Sequence, residues 1–324
     1  MKTNRVVMHT QGGPEVMQFE TVELAAPGPG QVQIEQTAIG LNYMDVYQRS
    51  GDYKVPLPSP LGLEAAGHVT ALGAGVTDLA VGDRVAYGGV LGAYASHVNV
   101  PAARAVKLPD GISDDVAAAV LMKGMTAEYL LNRTYKVKPG EDVLFWAASG
   151  GVGQLAGQWG AHLGARMIGV TSGPENCRKI LGLGYAHAID RKSEDVAARV
   201  RDLTGGKGVP VVYDSIGKNS FDASIDSLAT YGMLVSFGAT TGQAPPVAPH
   251  LLQVKGSLYF TRPTLGDYVK SREDLVHSAS ETFRLILEGV LSVNIDQRRP
   301  LSQIVAAHKA LESGETTGST ILTP

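Results

Sequence analysis

Cysteine is nearly absent from this chain: Cys177 is the single one among 324 residues. One thiol cannot form an intrachain disulfide, a four-cysteine zinc site or a CxxC redox pair. Long apolar runs are lacking too, since no stretch reaches the ~20 residues of a membrane-spanning helix. The segment from Met1 to Gln11 is polar and has no signal-peptide core. These absences predict a cytoplasmic protein that does not contact a membrane.

An excess of charge of one sign is also lacking. The chain has 28 basic and 31 acidic residues, a net charge of −3, and no cluster of lysine or arginine. Nucleic acid is therefore not an expected partner. The eight histidines show no HxxxH spacing, and with no paired cysteines they predict no metal site. A hydrophobic content of 44% is ordinary for a folded protein, and the length suits about two domains.

The first third of the chain has the two-residue hydrophobic period of half-buried strands, with glycine-rich turns between them. We expect an all-β, barrel-like region there. The predicted strands are Gln31–Ile39, Ala66–Leu72, Asp83–Tyr87 and Tyr94–Val100.

After a predicted helix, Asp114–Leu131, strands and helices alternate from Asp142 onward. Such alternation predicts parallel βαβ units and a doubly wound sheet of the dinucleotide-binding type. The closing strand, Ser319–Leu322, is expected to rejoin the N-terminal β region. The predicted strands of the parallel sheet are Val143–Ala147, Arg166–Val170, Ala186–Ile189, Val211–Asp214 and segments near Met233–Phe237 and Ser257–Phe260.

A glycine loop lies where the first of these strands would end and a helix would begin. It corresponds to GxGxxG with alanine in the first glycine position. Small residues let backbone amides and a helix N-terminus approach a pyrophosphate, so this context predicts nucleotide binding. The loop residues expected at the cofactor are Ala148, Gly150, Gly151, Val152 and Gly153.

The end of the next predicted strand indicates which nicotinamide cofactor is used. Thr171 and Ser172 stand there without the acidic residue that holds the ribose hydroxyls of NAD. Two hydroxyls and a nearby positive charge, Arg191, favour the 2′-phosphate of NADPH. Lys192 fits equally well on a solvated surface.

Three further segments, Gly12–Glu15, Gly62–Gly67 and Gly82–Val85, complete a pattern that resembles the medium-chain dehydrogenase/reductase family along the whole chain. The resemblance implies an α/β fold: a GroES-like β-barrel-type domain, residues 1–124 and 263–324, and a Rossmann doubly wound parallel sheet domain, residues 125–262. Zinc enzymes of this family have ligands where Asn42 and Leu63 stand and near Met122. It therefore implies an enzyme without zinc.

Gly40–Tyr53, Leu121–Ala127 and Gly256–Pro263 resemble the quinone oxidoreductase branch, which includes the zeta-crystallin relatives. In that branch lysine is common where Asn176 stands, and an aromatic residue where Arg191 stands. The resemblance implies a substrate and nicotinamide cleft lined by Asn42, Tyr47 and Tyr53, with Lys123 as a further catalytic candidate. It implies cofactor contacts at Thr126, Asn176, Arg191, Phe237, Gly238, Leu258, Tyr259 and Phe260.

The resulting hypothesis is a zinc-independent NADPH:quinone oxidoreductase, with a homodimer expected from the family. Reduction of activated C=C bonds in an enone, alkenal or enoyl thioester stays open, and so does a non-enzymatic, crystallin-like or RNA-binding role. Tyr47 and Tyr53 also fit ordinary core or rim aromatics, and Lys123 fits a helix surface. Asp45 and Arg49, four residues apart, fit an ion pair.

Overall fold

The computed structural model describes residues 1–314 and 316–324. Within these residues the chain forms sixteen strands and ten α-helices. The strands are β1 Lys2–Met8, β2 Met17–Glu23, β3 Gln31–Gly40, β4 Ser59–Pro60, β5 Glu64–Leu72, β6 Arg84–Gly88, β7 His97–Pro101, β8 Ala105–Lys107, β9 Asp142–Trp146, β10 Arg166–Thr171, β11 Tyr185–Asp190, β12 Val209–Asp214, β13 Leu228–Ser236, β14 Tyr259–Thr261, β15 Ile295–Pro300 and β16 Ser319–Thr323. The helices are α1 Tyr43–Ser50, α2 Asp114–Tyr129, α3 Gly151–His162, α4 Pro174–Leu181, α5 Val196–Leu203, α6 Phe221–Ser227, α7 Pro249–Val254, α8 Leu265–Tyr268, α9 Arg272–Leu287 and α10 Ile304–Glu312.

The described chain divides into two compact units. The first comprises Met1–Lys123, Val269–Leu287 and Val293–Pro324, and the second comprises Gly124–Tyr268 and Glu288–Ser292. The chain therefore leaves the first unit inside α2 and returns to it directly after α8.

The second unit is a parallel six-stranded sheet in the order β11-β10-β9-β12-β13-β14. In sequence rank this is 3-2-1-4-5-6, the order of a Rossmann fold. Its strands carry apolar side chains such as Leu144, Ile168 and Val212 that are fully buried, as strands covered on both faces require. The predicted doubly wound sheet is confirmed. Ligands of such sheets bind beyond the carboxyl ends of the strands, where the order reverses between β9 and β12.

The first unit is mainly antiparallel. One sheet runs β15-β16-β3-β5-β6-β8, with β7 also paired to β3, and a smaller sheet runs β2-β1-β4. Apolar side chains from both sheets, including Val6, Ile34 and Tyr87, form one buried core with Ile304 of α10. The predicted β domain is confirmed, and β16 joins it as expected by pairing with β3.

Six elements of the first unit depart from the sequence interpretation. The strands β1, β2, β4, β8 and β15 were not predicted, and the all-β interpretation was wrong at α1. The sequence of α1, YMDVYQRS, has weak helix propensity because aromatic and β-branched residues lose rotamer freedom in a helix. The helix forms because its ends are held: Asp45 accepts a hydrogen bond from the Asn42 backbone, and Gly51 closes it at φ 99°.

Candidate active site

The glycine loop connects β9 to α3 as predicted. Gly150 is the N-cap of α3, and its amide donates to the Ala147 carbonyl at 2.9 Å. Ala147 lies at φ 54°, a region that few non-glycine residues occupy. The loop therefore turns sharply and directs the N-terminus of a twelve-residue helix toward the carboxyl edge of the sheet.

Gly153 explains why this turn needs glycine. A Cβ added there would lie 2.4 Å from the Ala147 carbonyl oxygen and 2.7 Å from the Ala148 Cα. Ala148, in the first position of the motif, is completely buried. The small residues thus let the helix and the loop pack closely, which leaves backbone amides at the helix N-terminus to meet a pyrophosphate. The residues of this loop fit a dinucleotide.

The ends of β10 and β11 lie side by side, with Thr171 paired to Asp190. The Thr171 hydroxyl is buried and shares a 2.7 Å hydrogen bond with the Ser149 hydroxyl, which fastens the glycine loop to β10. The Arg191 amide donates to the Thr171 carbonyl at 3.1 Å, and the Arg191 side chain is exposed. Arg191 thus follows β11 and its backbone lies next to the end of β10, the strand end that carries the ribose-binding residue in this fold.

Two further polar side chains near this strand end, Asn176 and Asp190, make hydrogen bonds to the backbone. The side-chain Nδ2 of Asn176 donates to the Ser172 backbone carbonyl at 3.0 Å. The Asp190 carboxylate accepts from the backbone amides of Gly173 and Lys192 at 2.8 and 3.0 Å. These hydrogen bonds lower the pKa of Asp190, so this carboxylate is ionised and its charge is directed at backbone donors.

Beyond β12 and β13, a second pair of loops is tightly connected. Buried Asp214 accepts hydrogen bonds from the hydroxyls of Ser220 and Ser224, both at 2.6 Å, and from the Ile216 amide at 2.8 Å. A Cβ on Gly238 would lie 2.7 Å from the Ser215 carbonyl oxygen. The predicted cofactor segment at Gly238 is therefore closely packed on the turn that Asp214 holds.

The remaining predicted cofactor residues differ in their surroundings. Phe237 stacks obliquely on Phe145, with ring centroids 5.6 Å apart. Leu258 and Phe260 pack into the core of the second unit, while Tyr259 on β14 is exposed. Thr126 lies on α2 in a partly buried position. That the 258–260 segment and Thr126 contact the cofactor stays a prediction.

In the first unit, two of the residues predicted at the acceptor, Asn42 and Lys123, donate hydrogen bonds to the carboxylate of Glu64. Glu64 is fully buried at the start of β5. Its Oε2 accepts from Asn42 Nδ2 at 2.8 Å and from Lys123 Nζ at 3.3 Å, and its Oε1 accepts from the Met122 amide at 2.6 Å. Lys123 is nearly buried as well, so the ion pair lies in a poorly solvated environment.

The donors of this cluster are not equivalent. Asn42 Nδ2 has two hydrogens, one directed to Glu64 and the other to Met122 Sδ at 3.9 Å. A lysine ammonium has three, and Glu64 accepts one of them. Lys123 is therefore the better donor for a negatively charged oxygen, and Asn42 orients the carboxylate.

Behind Asn42 lies a second buried group, Asp45. Its Oδ2 accepts from the backbone N–H of Asn42 at 2.9 Å and from the Tyr94 hydroxyl at 2.7 Å. Burial raises the pKa of Asp45 to about 7, opposed by these two hydrogen bonds. The Tyr94 hydroxyl also lies 3.1 Å from His308 Nε2, and burial lowers the pKa of His308 to about 3.

The predicted tyrosines, Tyr47 on α1 and Tyr53 in the segment after it, form a separate aromatic group. The rings of Tyr47 and Tyr53 are 5.4 Å apart, and Tyr43 contacts Tyr47 edge-on at 5.1 Å. Tyr47 is buried, whereas Tyr53 is 37% exposed. The expected ion pair of Asp45 with Arg49 is replaced by other contacts: Arg49 pairs with Glu312 at 2.6 Å and donates to the Gly12 carbonyl.

Several residues of these clusters were not among the sequence candidates. Glu64 lies in the Gly62–Gly67 segment, which contributed to the family resemblance without a role for this side chain. Arg262, which donates to the Gly238 carbonyl at 2.5 Å, lies in a segment that was noted without a role for the side chain. Tyr94 and His308 are 214 positions apart and gave no signal. In residues 1–314 and 316–324, no group of three or more His, Cys, Asp or Glu side chains is placed to hold a metal ion. No helix of the described chain has the length and apolar character of a membrane span.

Comparisons with known proteins agree with this geometry. Residues 28–110 match the alcohol dehydrogenase GroES-like domain, and residues 151–275 match the zinc-binding dehydrogenase family. The chain is 48% identical to a quinone oxidoreductase of Pseudomonas aeruginosa, over 99% of both chains. It is 42% identical to a 2-haloacrylate reductase of a Burkholderia species, over 98% of both. The structure of Escherichia coli quinone oxidoreductase complexed with NADPH superimposes with a TM-score of 0.97 at 44% identity, over 99% of this chain and 100% of that one.

Proposed function

This chain belongs to the quinone oxidoreductase branch of the medium-chain dehydrogenase/reductase family, and from that premise we propose that it is an NADPH-dependent quinone oxidoreductase that works without zinc. The assignment joins two features of different units. One is the glycine loop, whose residues fit a dinucleotide. The other is the buried ion pair of Glu64 and Lys123, on which the proposal depends most.

The cofactor site consists of residues of the second unit. Gly151, Val152 and Gly153 offer backbone amides to the pyrophosphate, and Gly150 and Ala148 form the turn beneath them. Ser172 and Arg191 bind the 2′-phosphate. The Thr171 hydroxyl does not take part, because it is buried and hydrogen-bonded to the Ser149 hydroxyl. Bound NADPH supplies a hydride. Asn176, Thr126, Phe237, Gly238, Leu258, Tyr259 and Phe260 complete the proposed cofactor contacts.

The acceptor needs a positive charge where its oxygen becomes negative. Lys123 supplies that charge through the hydrogens that Glu64 does not accept, in an environment of low solvation where it acts strongly. Asn42 holds Glu64, and Glu64 in turn holds the ammonium in position. Tyr53, packed on the buried ring of Tyr47, offers an aromatic surface that suits a flat ring. A quinone accepts hydride readily, so this modest assistance suffices.

A second candidate, reduction of an activated C=C bond, is favoured by the 2-haloacrylate reductase relative. The same ammonium would stabilise the negative charge that develops on a carboxylate or carbonyl conjugated to the double bond. The aromatic pair of Tyr47 and Tyr53 makes the quinone the better acceptor.

NADPH consumption with a panel of acceptors separates the two. We expect 1,4-benzoquinone and a naphthoquinone to be reduced faster than 2-chloroacrylate, an alkenal or crotonyl-CoA, and NADPH to be used in preference to NADH. Asn42→Ala and Tyr53→Phe should each raise the KM for the quinone. Faster turnover of an alkene would transfer the assignment to the second candidate, and unchanged kinetics in both variants would remove them from the acceptor site.

We propose that the enzyme is cytoplasmic and that its two domains comprise residues 1–124 with 263–324 and residues 125–262. We also propose that it assembles as a homodimer. β14 is the edge strand of the parallel sheet, and its Tyr259 is 59% exposed. An edge strand with exposed apolar surface favours pairing with a second copy. Light scattering should give twice the chain mass; the mass of a single chain would exclude the dimer.

A further inference from the structure

We propose that Asp45 is a positioning residue for the acceptor site, which in its ionised form holds Asn42, and through Asn42 and Glu64 the Lys123 ammonium, in the reactive arrangement. The inference rests on the proposed function, because it assigns Lys123 to the acceptor. It goes beyond that function by adding a titrating group that does not touch the acceptor.

A path of hydrogen bonds connects Asp45 with Lys123. The Asn42 backbone amide donates to Asp45, the Asn42 side chain donates to Glu64, and Glu64 accepts from Lys123. Asp45, Asn42, Glu64 and Lys123 are all buried, so water does not compete effectively for these bonds. A change at Asp45 therefore changes the residue that orients Glu64.

The hydrogen-bond donors on the Tyr94 side of Asp45 are directed toward its carboxylate. Tyr94 has one proton, and its hydroxyl lies closer to Asp45 Oδ2, at 2.7 Å, than to His308 Nε2, at 3.1 Å. His308 is neutral because burial lowers its pKa to about 3. Since the single Tyr94 proton is donated to Asp45, the bond to His308 requires that Nε2 carries the ring proton and donates to the Tyr94 oxygen. The chain His308 to Tyr94 to Asp45 then ends on the carboxylate, as an ionised acceptor requires.

Titratable and charged groups from several elements surround Asp45. Tyr94 faces it from the segment after β6, Glu64 from β5 and Lys123 from α2, while Arg49 of α1 and His308 of α10 act on Tyr94. Asp45 Oδ1 is buried without a hydrogen-bond partner among the described residues. Neither the ionised nor the protonated form is thus strongly preferred, and the pKa of Asp45 rises to about 7.

Protonation weakens the arrangement because a neutral carboxyl accepts hydrogen bonds less strongly than a carboxylate. We therefore expect kcat/KM for 1,4-benzoquinone to rise with pH through a limb near pH 7, by on the order of five-fold. The limb should disappear in Asp45→Asn, which cannot ionise, and the activity of this variant should stay near the low-pH level of the wild type.

Two further variants keep the test decisive. Tyr94→Phe removes a hydrogen bond that lowers the pKa of Asp45, so the limb should move to higher pH. Asp222→Asn makes the same change at an exposed aspartate in the first turn of α6 and should leave the profile unchanged. If Asp45→Asn does not fold, the direction of the Tyr94→Phe shift decides.

A readout independent of turnover is urea unfolding as a function of pH. The unfolding free energy of the wild type relative to that of Asp45→Asn should decrease as the pH rises from 4 toward 7, because the opposite contribution of His308 is common to both proteins and cancels in the difference. The inference is overturned if the limb falls with rising pH, if it persists in Asp45→Asn, or if Tyr94→Phe leaves it in place. A wild-type protein that reduces no quinone would instead refute the proposed function.

Discussion

At the scale of single residues, the sequence was most informative where backbone geometry demands one residue type. Gly153 could be placed in the cofactor loop because the spacing to Gly150 and the strand–loop–helix context are local. The acceptor cluster could be predicted only in part. Asn42 and Lys123 were candidates, but their meeting on Glu64 depends on contacts between residues 22 and 59 positions apart. Such convergence has no local pattern.

Gly153→Ala tests the loop. The added Cβ would lie 2.4 Å from the Ala147 carbonyl oxygen, so the loop must move. We expect a loss of about 1–3 kcal/mol in unfolding free energy and weaker NADPH binding, measured by the change in tryptophan fluorescence, to which Trp146 before the loop and Trp159 on α3 both contribute.

Gly266→Ala is the matched control. Gly266 lies in α8 of the same unit, and a Cβ there would contact nothing within 4 Å. Stability should stay the same or rise by up to about 1 kcal/mol, with NADPH affinity unchanged. Equal effects of the two substitutions would show that Gly153 has no special place at the cofactor.

At the scale of secondary structure elements, the alternating strands and helices of the second unit were predictable because their hydrophobic runs are long and their order is simple. α1 was not, because its stability depends on capping by Asp45 and on Gly51 rather than on its own propensities. The paired ends of β10 and β11 also matter at this scale. They bring Arg191 beside Thr171, twenty residues earlier, which propensities alone do not show.

Arg191→Ser tests this strand end. An arginine bound to a phosphate contributes about 1.5–3 kcal/mol, so we expect the KM for NADPH to rise about ten- to hundredfold. The KM for NADH should change little because NADH has no 2′-phosphate. Lys192→Ser, at the next exposed position, serves as control. Equal increases for both cofactors would assign 2′-phosphate recognition to other residues.

At the scale of the whole molecule, two buried groups of the first unit shape stability against pH with opposite signs. The pKa of Asp45 is raised from 3.8 to about 7, so its contribution is present below pH 3.8 and is lost as the pH rises through 7. The pKa of His308 is lowered from 6.5 to about 3, so its contribution is present above pH 6.5 and is lost as the pH falls through 3.

Single substitutions should separate the two contributions. In His308→Gln, stability should decrease from pH 4 to pH 7, because Asp45 then acts alone. In Asp45→Asn, stability should decrease in the acid direction over the same range. The expected size is about 1–4 kcal/mol, measured as unfolding free energy in urea. Parallel profiles for both variants and the wild type would contradict these assignments.

The central property that we propose for this protein is the transfer of a hydride from NADPH to a quinone. Rapid mixing of the NADPH-loaded protein with one equivalent of 1,4-benzoquinone, with the NADPH absorbance followed through a single turnover, tests it most directly. We predict loss of that absorbance at least as fast as steady-state turnover, and a slower loss when the transferred C4 hydrogen of NADPH is deuterium. Persistence of the absorbance with the quinone, together with its loss on mixing with 2-chloroacrylate, would contradict the claim.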